Sequence, residues 1–208
     1  MQQPCVLTDH IEQQVCPGSS VGVLQDLVGT LFEETFHEWE ATNNSAMWYQ
    51  PNTKAFPSTF RGSNVVPDGI ADVMVLDNTK AEPVTFNDEA AWFEVKASNG
   101  TLTKSSYNNQ IGGMIDALAA NQPRAVQQKR AMMTFVTTSD TKVGKSLERY
   151  ASQKGVNLYQ KTAYYKMDAN GNMLVGFSAP VPLRTSNATI YWPFRPYSGF
   201  VPLSMHKP

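Results

Sequence analysis

Cysteine and histidine are scarce in this sequence, and their positions argue against disulfide, zinc and histidine-dependent sites. Among the 208 residues there are two cysteines, Cys5 and Cys16, and three histidines, His10, His37 and His206. Two cysteines so close to one end do not make a disulfide-rich scaffold, and they lack the partners of a zinc site. They either remain free thiols or form one local bridge. The three histidines are scattered along the chain and do not indicate the Ser-His-Asp triad of a hydrolase.

Long apolar runs and nucleotide-binding loops are missing as well. No run approaches the ~20 apolar residues that a membrane helix needs. The N-terminal MQQPCVLTDHIEQQVC lacks the basic start and apolar centre of a secretory signal. Neither a Gly-x-x-x-x-Gly-Lys loop nor a dinucleotide-binding glycine fingerprint occurs. We therefore expect a soluble protein with no membrane partner and no nucleotide cofactor, which acts in the cytoplasm and is compatible with export by a specialised secretion system.

The net charge of -1 conceals an uneven distribution of charge along the chain. Residues 1–100 contain 14 acidic and 4 basic side chains, whereas residues 101–166 contain 3 acidic and 10 basic ones. An acidic cluster can hold metal ions, and a basic surface can bind a polyanion such as nucleic acid.

Hydrophobic periodicity and turn signals predict an alternation of helices and strands. The predicted helices cover residues 21–40, 103–121 and 141–153, and the predicted strands cover 46–50, 73–76, 91–97, 131–137, 156–160, 163–167 and 173–177. Residues 51–64 and 77–88 are predicted to be irregular connections. This order indicates an α/β or α+β domain over residues 21–178, with helices on the faces of a sheet. A segment of residues 1–20 precedes it, and an extended, proline-rich tail, residues 179–208, packs on it.

Two stretches place carboxylates and a lysine at the ends of neighbouring predicted strands. Strand alternation in AWFEVKAS puts Glu94 and Lys96 on one face, and VPDGIAD supplies Asp68 and Asp72. A hairpin between the strands brings one of these aspartates beside Glu94, where two carboxylates repel unless a divalent cation lies between them. Oxygen ligands alone favour Mg²⁺, or Mn²⁺ in its place. Lys96 beside such an ion can act on water or stabilise a pentavalent phosphate, so the pattern indicates phosphodiester hydrolysis.

The same residues carry a family resemblance. The Pro-Asp at 67–68, followed by Glu-Val-Lys at 94–96 at the end of an apolar strand, resembles the PD-(D/E)XK motif of the restriction-endonuclease-like nucleases. The Tyr-Asn-Asn-Gln at 107–110 is similar to the Tyr-x-x-Gln motif of the phage-exonuclease and RecB-like branches, whose glutamine lines the active site. The resemblance covers residues 21–160 and implies a restriction-endonuclease-like core, a mixed sheet flanked by helices, followed here by a C-terminal hairpin.

Carried over by position, the resemblance assigns a role to each motif residue. It implies that Asp68 and Glu94 are metal ligands, that Lys96 is the catalytic lysine and that Gln110 lines the site. Asp72 is the alternative to Asp68, because Asp72 lies better inside the strand whereas Asp68 has the proline and glycine of the motif.

Many members of this superfamily add a metal-binding glutamate from the first helix. On a helical wheel, Glu34 and Glu38 flank the apolar stripe of residues 21–40, whereas Glu33 and Glu40 point outward. We therefore expect Glu34 at the metal, with Glu38 as the second choice.

The resemblance implies a Mg²⁺-dependent deoxyribonuclease. Basic residues that would track the DNA backbone follow the motif: Lys104, Lys129, Arg130, Lys142 and Lys145. A compact catalytic domain of this kind looks like the nuclease domains of bacterial polymorphic toxins and effectors, which implies an antibacterial role and an immunity protein as its inhibitor. The alternatives are a phage, repair or restriction nuclease, and an inactive binding module of the same fold.

Overall fold

The computed structural model describes residues 21–43, 49–75, 84–183 and 201–202, so the segment with Cys5 and Cys16 lies outside it. The helices are α1 (Val21–Asn43), α2 (Ser106–Asn121), α3 (Pro123–Gln127) and α4 (Lys145–Lys154). The strands are β1 (Tyr49–Pro51), β2 (Phe56–Ser58), β3 (Ser63–Val65), β4 (Gly69–Val75), β5 (Val84–Lys96), β6 (Thr101–Leu102), β7 (Met132–Thr137), β8 (Lys142–Val143), β9 (Asn157–Met167), β10 (Met173–Phe177), β11 (Val181–Pro182) and β12 (Val201–Pro202).

A mixed sheet with the strand order β1-β4-β5-β7-β9-β10-β12 forms the centre of the described chain, and β11 also pairs with β9. β1, β4 and β5 are antiparallel neighbours, whereas β5, β7 and β9 run parallel. Every residue of β7 is buried, as expected for a central parallel strand covered on both faces. The predicted mixed α/β architecture is confirmed. Within the described residues, no helix combines the length and the hydropathy needed to cross a membrane.

Helix α1 attaches to this sheet through buried aromatic side chains. The ring of Phe36 lies 6.1 Å from the ring of Phe93 on β5 and 5.2 Å from that of Phe177 on β10. Trp39 contacts the same Phe177 ring at 5.5 Å. Because a side chain of this size contributes about 1.5–3 kcal/mol when it is fully buried, these contacts fix α1 across β5 and β10.

A hairpin of β2 and β3 is anchored on α2 by one buried carboxylate. Asp116 accepts hydrogen bonds from the hydroxyls of Ser58 (3.2 Å) and Thr59 (2.9 Å) and from the backbone N–H of Phe60 (3.0 Å), and it pairs with Lys154 at 2.6 Å. Burial raises the pKa of Asp116, but the hydrogen bonds from Lys154, Phe60 and Thr59 outweigh it and the net shift is downward. The carboxylate therefore holds, in its charged form, the hairpin that leads into β4.

Several predicted boundaries were wrong. Residues 51–64, expected to be irregular, contain β2 and most of β3, whose three-residue length is too short to give a periodic signal. β5 already begins at Val84, inside a stretch predicted as a connection. The two strands predicted between residues 156 and 167 are one continuous strand, β9. Residues 181–182 and 201–202 of the expected tail add the short strands β11 and β12 to the sheet.

Candidate active site

The antiparallel pairing of β4 and β5 brings the Pro-Asp-Gly turn to the C-terminal end of β5. Gly69 lies opposite Phe93, and the backbone N–H of Asp68 donates to the Phe93 carbonyl at 3.0 Å. The Asp68 carboxylate in turn accepts the backbone N–H of Val95 at 2.6 Å. Backbone hydrogen bonds on both sides therefore fix Asp68 next to the Glu-Val-Lys sequence, 26 positions further along the chain.

Lys96 lies between the two carboxylates. Its Nζ atom is 2.7 Å from Glu94 Oε1 and 3.5 Å from Asp68 Oδ2, and it also donates to the Val95 carbonyl at 3.0 Å. The Glu94 side chain is completely buried, and the side chains of Lys96 and Asp68 are 18% and 13% exposed. The cluster is thus closed at Glu94 and open to solvent at its other two members.

Gln110 on α2 completes this cluster. Its Nε2 donates to Glu94 Oε1 at 3.1 Å, so that one oxygen of Glu94 is held by both Gln110 and Lys96. The other oxygen, Glu94 Oε2, is buried and has no hydrogen-bond partner among the described residues. A buried carboxylate oxygen without a hydrogen-bond partner is energetically costly. An unpartnered oxygen of this kind is typical of an atom that binds an ion or a ligand.

The turn before Gln110 has an unusual backbone. α2 was predicted as a right-handed helix from residue 103, but it begins at Ser106, and Tyr107, Asn108 and Asn109 have φ values of 53°, 53° and 63°. Three consecutive left-handed residues other than glycine are strained by roughly 1–2 kcal/mol each, and such strain is concentrated at functional sites. The turn leaves the Tyr107 ring 45% exposed, with Lys96 Nζ 5.5 Å from its centre.

The electrostatics of the cluster follow from its burial. Burial raises the pKa of Glu94 well above its ordinary value, Lys96 opposes this shift, and the charge of Asp68 adds to it. Burial also raises the pKa of Asp68. Burial lowers the pKa of Lys96, but the charges of Glu94 and Asp68 outweigh it and raise the pKa overall. Lys96 is therefore an ammonium group shared by two carboxylates that repel each other.

The donor set fits a divalent cation. Two carboxylates that share one lysine, one of them with an unpartnered buried oxygen, offer the oxygen ligands that Mg²⁺ prefers. Among the described residues no group of three or more His, Cys, Asp or Glu side chains is arranged to hold a metal. Mg²⁺ commonly binds through one or two carboxylates plus water and substrate phosphate, so a pair is sufficient.

Asp72, the alternative to Asp68, lies elsewhere. It occupies the irregularity between Ala71 and Val73 in the pairing of β4 with β5, and its Oδ1 accepts the backbone N–H of Glu89 at 3.1 Å. Four residues along a strand separate it from Asp68 by roughly 13 Å. The structure therefore places Asp68, and not Asp72, beside Glu94 and Lys96.

One glutamate of the first helix lies within electrostatic reach of the cluster, and it is not the one that the helical wheel favoured. The charge of Glu33 raises the pKa values of Asp68 and Glu94, so Glu33 lies within electrostatic reach of the cluster. Glu34, the expected residue, is half-buried, and Glu38 is exposed. The prediction that Glu33 and Glu40 point outward was wrong for Glu40, which is 1% exposed.

Glu40 is buried because it has a partner from the sheet. Lys161 Nζ on β9 lies 2.5 Å from Glu40 Oε1 and 4.2 Å from the centre of the Trp39 ring. Glu40 lies seven positions after Glu33, hence on nearly the same side of α1. The orientation that buries Glu40 therefore turns Glu33 to the sheet-facing side of α1 as well.

Two further residues near the cluster were not predicted. His37 on α1 has a side chain only 19% exposed and lies 3.4 Å from Glu33. Its Nδ1 is 2.6 Å from the hydroxyl of the buried Tyr49 on β1. The four-residue spacing of Glu33 and His37 was the available signal, since such pairs share a helix face.

The basic residues proposed to contact DNA fall into two groups. Exposed members are Lys104, Lys129, Lys142 and Lys145. Arg130 was predicted wrongly: it is 7% exposed, pairs with Asp88 and stacks on Phe86 with its guanidinium carbon 3.8 Å from the ring centre. A guanidinium held in this way is a structural group and is not presented to a ligand.

No protein-family model, no curated protein and no solved structure matches this chain.

Proposed function

We propose that this protein is a divalent-metal-dependent nuclease that hydrolyses phosphodiester bonds of DNA. The observation that carries the proposal is Glu94: Lys96 and Gln110 hold one oxygen of a fully buried carboxylate, and the other oxygen has no partner among the described residues. Asp68 lies on the far side of the same lysine. The order of an antiparallel β1-β4-β5 unit followed by α2 and the parallel strand β7 agrees with the proposed restriction-endonuclease-like core.

Each residue of the cluster has a distinct part in the proposed reaction. Glu94 Oε2 and the Asp68 carboxylate would hold Mg²⁺ or Mn²⁺, while Gln110 and the Val95 N–H keep the two carboxylates oriented. When bound there, the ion supplies positive charge that neutralises the phosphate oxygens. Lys96 is kept protonated by its neighbours, which suits stabilisation of the negative charge that develops on the phosphate better than removal of a proton from water.

The biological role that we propose is that of an antibacterial toxin or effector nuclease whose DNA contacts come from the exposed lysines. Cytotoxicity provides a direct test. Expression of the wild-type chain in an unprotected bacterial host should stop growth and degrade the host DNA, whereas expression of the Lys96→Ala variant should not. Equal tolerance of both chains would contradict the toxin role.

The rival reading is an inactive module in which Glu94 and Lys96 form an ordinary ion pair. Glu94→Gln and Lys96→Ala should each abolish Mg²⁺-dependent cleavage of plasmid DNA. Glu89→Gln is the matched control, because Glu89 is exposed on the same strand. Normal cleavage by the first two variants would exclude the proposed mechanism, and absence of divalent-metal binding by the wild type would favour the module.

A further inference from the structure

We infer that His37 and Tyr49 are positioning residues that orient the Glu33 carboxylate toward the cluster of Asp68, Glu94 and Lys96. This inference rests on the proposed function, since it concerns the same metal site. It assigns a role to three polar side chains that are hydrogen-bonded in series. These are Tyr49 on the edge strand β1, and His37 and Glu33 on α1.

Tyr49 is the fixed end of this chain. Its ring is buried and makes edge contacts with Phe36 at 5.5 Å and Phe93 at 5.0 Å, and it covers Gly69, the residue that follows Asp68. A Cβ atom at Gly69 would lie only 2.3 Å from the Tyr49 hydroxyl. Because rigid rings and backbone surround it, Tyr49 gives its hydroxyl one well-defined position directly beside the Asp68 turn.

The hydroxyl of Tyr49 determines which nitrogen of the His37 ring carries the proton. Burial raises the pKa of the Tyr49 phenol, and the charges of Glu40 and Asp68 add to this shift, so the hydroxyl keeps its proton. It can then donate to Nδ1 of His37, 2.6 Å away. In that tautomer the proton of the ring is on Nε2, which donates toward Glu33 Oε1 at 3.4 Å.

Glu33 needs such support because its side chain is 41% exposed on the helix surface. An exposed glutamate samples several rotamers, whereas one that is hydrogen-bonded to a half-buried histidine returns to a single orientation. The charge of Glu33 raises the pKa values of Asp68, Glu94 and Tyr49, so it acts on the same groups that the cluster brings together.

Binding of Mn²⁺ to the full chain in the absence of DNA, measured by electron paramagnetic resonance, tests the inference without relying on activity. His37→Leu should weaken Mn²⁺ binding roughly tenfold, as is typical when the partner of a metal ligand is removed. His37→Gln should retain most of the affinity, because its amide can donate from nearly the same place. Tyr49→Phe keeps the ring and removes only the hydroxyl, and it should give a loss between these two. Tyr164→Phe, at a 53% exposed tyrosine, is the control.

The decisive comparison places His37→Leu in a Glu33→Gln background. If His37 acts through Glu33, the two losses are not additive, and His37→Leu has no further effect once the carboxylate is gone. Nitrogen NMR of the His37 ring should also report the Nε2–H tautomer in the wild type and a mixture in Tyr49→Phe. Additive losses, or an unchanged tautomer, would overturn the inference.

Failure of this inference can be told apart from failure of the proposed function. Mn²⁺ binding that is lost in Glu94→Gln but unchanged in His37→Leu overturns the positioning role alone. A wild-type chain that binds no Mn²⁺ overturns both.

Discussion

Replacing Gly69 by alanine should destabilise the protein far more than a single methyl group on a strand normally does. A Cβ atom there would lie 2.3 Å from the Tyr49 hydroxyl and 2.4 and 2.5 Å from two of its ring carbons, whereas carbon atoms pack at about 3.5–4.0 Å. The ring cannot simply move aside, because it is packed against Phe36 and Phe93 and hydrogen-bonded to His37.

The expected loss can be worked out from these contacts. Overpacking of this kind costs about 1–3 kcal/mol, and a broken hydrogen bond between Tyr49 and His37 adds about 1 kcal/mol. We therefore expect Gly69→Ala to lower the free energy of unfolding by about 2–4 kcal/mol, measured by urea denaturation followed by circular dichroism.

Two controls isolate the cause of this loss. Gly29→Ala on α1, where an added Cβ meets nothing within 4 Å, should instead stabilise the protein by up to about 1 kcal/mol. In a Tyr49→Ala background, Gly69→Ala should have little further effect, because the obstructing ring is gone. A loss below about 0.5 kcal/mol in the single variant, or an undiminished loss in the double variant, would refute the reasoning.

Four further predictions concern other parts of the molecule. Asp116→Asn should destabilise the protein at pH 7, and, because the folded-state pKa of Asp116 is lowered, the difference from wild type in urea denaturation should shrink as the pH falls below about 4, where this aspartate becomes protonated in the unfolded chain. Arg130→Ala should lower the free energy of unfolding by about 2 kcal/mol without changing the salt dependence of DNA binding. Lys145→Ala should leave stability unchanged but reduce that salt slope by about 1 in a filter-binding titration. Asn108→Gly should relieve part of the left-handed strain and raise the free energy of unfolding by about 0.5 kcal/mol, whereas Ala119→Gly inside α2 should lower it by about 1 kcal/mol in the same denaturation assay.

The strand pattern predicted that Glu94 and Lys96 meet an aspartate of the preceding strand, whereas Gln110 was expected only from the family resemblance. Strand alternation put Glu94 and Lys96 on one face, and an antiparallel hairpin fixed the end of the sheet at which an aspartate arrives. The choice between Asp68 and Asp72 depended on the register of β4 with β5, which one irregular residue shifts and which periodicity does not reveal.

Residues whose surroundings are set by distant partners were not predictable in the same way. Glu40 is buried only because Lys161, 121 positions later, comes to lie beside it, and Arg130 is buried only because Asp88 and Phe86 receive it. The helical wheel considers only the residues of α1 itself and takes no account of a charged partner on another element, so it placed both Glu40 and Glu33 on the outward side. The local sequence pattern therefore predicts helices and strands, whereas the pairing of buried charges can be identified only from the contacts of the folded chain.

The most direct test of the central claim is cleavage of plasmid DNA in Mg²⁺ by the purified chain and by Asp68→Asn and Asp72→Asn. The two substitutions remove one charge each from the same short stretch, but only Asp68 lies beside Lys96, at 3.5 Å, whereas Asp72 accepts a backbone hydrogen bond from Glu89. We predict that the wild type and Asp72→Asn cut the DNA and that Asp68→Asn does not. A wild type that leaves the DNA intact, or an Asp68→Asn variant that cuts as well as the wild type, would contradict the proposed site.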